Sequence, residues 1–117
     1  MPLSAPYLFA AAMDVTPDRE ALFNEVYDRE HVPRLRAVRG VLSVARFRAR
    51  DFRMSLGGEV RTVSVGAEPR YVALYELERP DVLVSPAWAE AVEAGRWPTD
   101  VRPHTRNRHH VLLERLA

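Results

Sequence analysis

An α+β fold built in the order β-α-β-β-α-β is what this sequence predicts, and three observations carry the prediction. Thr16-Pro17 and Ser85-Pro86 each put a capping residue ahead of a proline at a first helical position, so a helix starts at each. Four apolar runs of strand length, at 7–13, 41–50, 70–78 and 108–116, bracket those helices. With 117 residues, 47% of them hydrophobic, the chain can bury one core and is too short for two, so residues 1–117 are expected to form a single domain.

The first strand is YLFAAAM, ended by Asp14, Thr16 and Pro17. In the helix that follows, Asp18 sits in the first turn, and Leu22, Phe23, Val26 and Tyr27 recur at helical spacing. It should run to His31 or Val32, because Pro33 removes a ladder hydrogen bond and disfavours the α conformation at Val32; a last turn through Leu35 and Val38 can follow the bend. Gly40 opens the second strand, VLSVARFRAR, whose Arg-rich end must meet solvent or an anion. The third, RYVALYELE, alternates Tyr71, Ala73, Tyr75 and Leu77 with Val72, Leu74 and Glu76. Between these strands Gly57-Gly58 suits a two-residue hairpin turn, so residues 51–66 read either as a protruding β-arm or as a disordered loop. AWAEAVEAG makes a short second helix closed by Gly95, RWPTDVRP reads as irregular, and RHHVLLERL is the last strand. This order is the ferredoxin-like arrangement, a four-stranded antiparallel sheet with both helices on one face. The opposite face, apolar on several strands, needs a second layer, which a homodimer packing sheet against sheet supplies.

Composition excludes several functions. Formal charge is +1, and the 17 cationic residues, all Arg, are scattered among acids, so neither nucleic acid nor a membrane surface is expected as a partner. Without Lys there is no Schiff-base chemistry, and Arg supplies the only permanent cations for an anionic ligand. Without Cys there is no disulfide, thiol nucleophile, Fe–S cluster or Cys-based zinc site. The N-terminal run lacks a basic start and is broken by Asp14, so it reads as a strand, and a soluble, cytoplasmic protein is expected. No Gly-rich phosphate loop, nucleophile elbow, redox fingerprint or HExxH spacing occurs; no cofactor and no metal are expected.

Asn24, Tyr27, His31 and Pro33 in NEVYDREHVP, then Gly40 and Arg46-Phe47 in VRGVLSVARF, resemble the signature of EthD-like members of the dimeric α/β-barrel superfamily. The resemblance continues through YVALYEL and GRWPTDVRPHTRNR, and so covers most of the chain. It implies two ferredoxin-like subunits paired into a barrel, each with a pocket between sheet and helices. Members of the superfamily include cofactor-free oxygenases, lactone isomerases, polyketide cyclases, dehydratases and haem enzymes, so the fold does not fix the function. Relatives often carry a Trp near the Asn of the first helix, where this chain has Phe23 and Val26, and no residue here matches a haem ligand.

His31 is the first candidate for chemistry, since imidazole both takes and gives protons near neutral pH. At about 100° per residue, Asn24, Tyr27 and His31 fall within roughly 60° of one helix face. A plainer role for His31 is a hydrogen bond at a helix end. Tyr27 is placed either to donate to a developing oxyanion or to fill the core with its hydroxyl at the rim. Asn24 can orient a carbonyl or an imidazole, or simply be solvated; Asp28 and Glu30 flank the His and can fix its tautomer. Arg46, mid-strand, either binds a ligand carboxylate or phenolate or pairs with Glu76 on the third strand. Tyr75, Trp88 and Trp97 are wall candidates for a flat ring, or plain core. His104 with Arg106 can close the pocket mouth, whereas His109 and His110 must point to opposite faces.

Together these features predict a small cofactor-independent enzyme of the lyase, isomerase or cyclase type, acting on a hydrophobic aromatic or polyketide-like molecule. The assigned roles are His31 as proton carrier, Tyr27 and Asn24 at the oxyanion, Arg46 on an acidic substituent, and Tyr75, Trp88, Trp97 and His104 around the substrate. A cofactor-free monooxygenase on phenolic substrates and a non-catalytic small-molecule-binding dimer are the alternatives.

Overall fold

The computed structural model describes residues 3–117. Its strands are β1 (Tyr7–Val15), β2 (Val41–Arg48), β3 (Phe52–Leu56), β4 (Glu59–Val63), β5 (Tyr71–Leu77) and β6 (Thr105–Glu114). Four of them form an antiparallel sheet in the order β2-β5-β1-β6, while β3 and β4 pair only with each other. With the helices counted, this is the expected ferredoxin-like α+β topology, carrying the β3–β4 arm as an insert. The arm is an ordered hairpin: Gly57 and Gly58 both take positive φ, 64° and 82°, as a two-residue turn joining twisted strands requires.

Period-two alternation sorts the sheet into two faces. Tyr71, Ala73, Tyr75 and Leu77 are buried against Phe23, Val26, Tyr27 and Leu35 of the helical layer. On the opposite face Phe47, Val111 and Leu113 remain about half exposed. Among the described residues no helix is long and apolar enough to cross a membrane.

The first helical segment departs from expectation twice. Thr16 precedes a 3-10 turn, Pro17–Arg19, but its hydroxyl caps nothing and is buried without a partner; its backbone N–H donates instead to the His104 carbonyl. Nor does the helix stop before Pro33. It runs as α1 (Glu20–Val26), a π turn over Tyr27–His31, and α2 (Val32–Arg36), with the Val32 N–H reaching the carbonyl of Tyr27, five residues back. A proline within a helix lacks one donor and crowds the carbonyl four residues earlier; the wider turn accommodates both effects and keeps the axis going.

RWPTDVRP, expected to be irregular, uses the same device. Trp97–Val101 form a second π turn in which the Arg102 N–H reaches the Trp97 carbonyl just before Pro103, followed by a 3-10 turn, Arg102–His104. The helix α3 (Pro86–Val92) starts as predicted, with the Ser85 hydroxyl accepting from the Trp88 N–H. Gly40, at φ 94°, lies so close to Val82 that any side chain there would collide with it.

Candidate functional site

Where the two π turns meet the sheet, they border a half-open cavity of about 180 Å³. Tyr27 and His31 reach it from the first turn and Trp97 from the second; Tyr75 lines it from β5 and Trp88 from α3. The Trp97 indole stacks on the His31 imidazole, with centroids 4.3 Å apart and planes 20° apart, and meets Tyr27 edge-on at 5.0 Å. The turn that presents Trp97 is tied to the one that presents His31: Arg96 donates from its backbone N–H and its Nε to the two carboxylate oxygens of Glu30, at 3.1 and 2.6 Å.

The Tyr27 and Tyr75 hydroxyls lie 3.4 Å apart and share a hydrogen bond. Burial raises the pKa of each, so both phenols stay protonated near neutral pH and act as donors rather than bases. His31 is 5% exposed, and its Nδ1 is enclosed without a hydrogen-bond partner among the described residues. Burial, reinforced by the positive charges of Arg102 and Arg34, lowers its pKa to about 4, so the imidazole is neutral at pH 7.

The other candidates separate. Asn24 and Arg46 do not line the cavity: Arg46 donates to Asp28 Oδ1 at 2.7 Å and to Asn24 Oδ1 at 2.8 Å, with its guanidinium 4.5 Å from the Tyr27 ring centroid. The expected Arg46–Glu76 pair does not form, because Arg46 points under the helices while Glu76 points to the open face and accepts from Ser43. Asp28 and Glu30 are held by Arg46 and Arg96 respectively, so neither serves the His31 imidazole. His104 sits outside the cavity lining in the 3-10 turn that receives the Thr16 N–H.

Three polar side chains not assigned to the site from sequence line the cavity: Arg102, Arg108 and His110. His109 and His110 do point to opposite faces, and it is His110 that turns inward, stacking on Phe9 with planes 7° apart. The phase of β6 is set by a bulge at Asn107, whose φ of 52° inserts one extra residue opposite β1; an Asn on a strand was the only signal in the sequence. Among the described residues no three His, Asp or Glu side chains converge as a metal site.

No protein-family model and no curated protein matches the chain, so the informative comparisons are structural. An ethyl tert-butyl ether D (EthD) family protein from Bacillus halodurans superposes with TM-score 0.58 at 12% identity, over 94% of this chain and 99% of that one. The haem degrader MhuD from Mycobacterium tuberculosis, solved with two haems in its active site, gives 0.59 at 15% identity, over 96% and 97%. The protein PA3566 from Pseudomonas aeruginosa gives 0.53 at 16% identity across both full chains. At these identities the likeness is one of fold, and the fold is EthD-like, as the sequence resemblance implied.

Proposed function

We propose that this chain, acting as one domain in a cytoplasmic homodimer joined through its open sheet face, is a cofactor-independent enzyme. It transfers protons on a small aromatic molecule in lyase, isomerase or cyclase chemistry. The observation that supports this most directly is the neutral, unpartnered imidazole of His31, set beside two protonated phenols in one cavity.

His31 is the base. Because Nδ1 is enclosed, proton exchange with a bound molecule goes through Nε2. The Tyr27–Tyr75 pair donates a hydrogen bond to the oxygen on which charge develops. Asn24 acts through Arg46, which it holds over the Tyr27 ring, and so positions the phenol rather than touching substrate.

Native mass spectrometry of protein purified from its own source, followed by denaturation, identifies the bound compound. With that compound as substrate, His31→Ala should slow deuterium wash-in from D2O by about two to four orders of magnitude with the circular dichroism spectrum unchanged. Wash-in at the wild-type rate in the variant rejects the mechanism.

A further inference from the structure

Building on the reading of the cavity as the substrate site, we propose that it selects a one-ring aromatic carboxylate, with the ring against Phe9, Tyr75 and Trp88 and the carboxylate on Arg108. Size sets the first limit. An enclosed apolar space of about 150 Å³ accepts benzene, whereas sites for larger ligands run from about 300 Å³ upward. At about 180 Å³ this half-open cavity seats one ring between its walls, with a substituent directed to its mouth.

The aromatic wall sets the second. Phe9 is tilted 37° to Tyr75 and edge-on to Trp88, and Trp88 is edge-on to Tyr75, so ring faces and edges are offered together to a planar guest.

Charge sets the third. Arginines and imidazoles line the cavity, and no carboxylate does. Arg102 is already neutralised, bonded to both oxygens of Glu93 and to the Val92 carbonyl. Arg108 has no carboxylate partner among the described residues, whereas Arg34, Arg46, Arg96 and Arg102 each have one. It stands two residues before His110 on the same face of β6, at the edge of the aromatic wall. Arg108 is exposed at the mouth of the cavity, and a guanidinium there binds a planar carboxylate through parallel N–H donors, which a neutral ligand cannot exploit equally. Burial first, and then the positive charge of Arg108, lowers the His110 pKa, and an anion bound at Arg108 would offset the charge part of that shift.

Quenching of Trp88 and Trp97, the two tryptophans of the chain, reads occupancy directly. Benzoate should bind at least tenfold more tightly than benzamide, its neutral isostere, and 2-naphthoate should bind more weakly than benzoate. Arg108→Gln should lower benzoate affinity at least tenfold and leave benzamide affinity unchanged, which also shows that the variant is folded. Equal binding of benzoate and benzamide, or full benzoate affinity in Arg108→Gln, overturns the carboxylate assignment while leaving the proton-transfer reading of His31 intact. If neither compound quenches, the cavity is not the ligand site and both readings fall.

Discussion

Arg46 and Phe47 are neighbours on β2, and each sits where the other's chemistry would be expected. Arg46 points under the helices, into the core side of the sheet; Phe47 points out and is 55% exposed. The difference lies in their partners. Arg46 has a carboxylate, an amide oxygen and an aromatic face, a set that balances the cost of bringing a charge indoors. Phe47 shares its face with the exposed Val111 and Leu113, an apolar surface that nothing among the described residues covers. A misplaced residue with a full set of partners reports on folding; one without partners reports on something still to bind. His31 belongs to the second kind, being polar, buried and unpartnered.

The sharpest way to break this comparison is to charge the open face. Phe47→Asp leaves the helical layer untouched, so the subunit should stay folded while the proposed homodimer comes apart. Burying a Phe is worth about 1.5–3 kcal/mol, and a two-fold interface counts it twice. The dissociation constant should therefore rise by at least about two orders of magnitude, read by sedimentation velocity. A wild-type monomer at tens of micromolar, or an unshifted variant, removes the dimer from the proposal.

His31 gives the next largest effect, through pH. Its folded pKa of about 4 lies below the unfolded value near 6.5, so between them the unfolded chain binds more protons than the folded one. The stability linked to a neutral His31 is therefore fully present above pH 6.5 and is lost as pH falls toward 4, by about 3 kcal/mol in all. Urea titrations of the wild type and His31→Gln should diverge in slope across that window; parallel curves would mean that His31 titrates as it does in water.

What the sequence made legible follows the same division. Strand alternation and the two Pro-marked helix starts gave the topology, because those signals are local and repeat over many residues. His31, Tyr27, Tyr75 and Trp97 could be named because aromatic and imidazole groups are few and the resemblance ordered them, and Trp88 because it is one of only two tryptophans. Asn24 was placed at the substrate because 100° per residue was carried through a segment that is not all α-helix, and because its amide is held by Arg46 from another strand. Arg108 and His110 escaped because a bulge at Asn107 sets which residues of β6 face inward. Both misses depend on backbone irregularities whose cause, a proline or an Asn, is visible in sequence while its effect on phase is not.

The smallest predicted effect tests the partnered half of the comparison. Arg46→Met keeps the length and apolar volume of the side chain but removes its charge, leaving the Asn24 oxygen without its donor and the Tyr27 ring without its cation. A half-buried unpaired acceptor and a lost cation–π contact together come to about 2 kcal/mol, while the Asp28 partner, on the exposed side, adds little. Urea unfolding should show that loss, and the preference for benzoate over benzamide should be unchanged, because Arg46 does not line the cavity. A variant of wild-type stability that loses the preference would return Arg46 to the role of anion holder and take it from Arg108. The two arginines would then have exchanged duties, and full occupancy by protein partners would no longer separate a structural cation from a binding one.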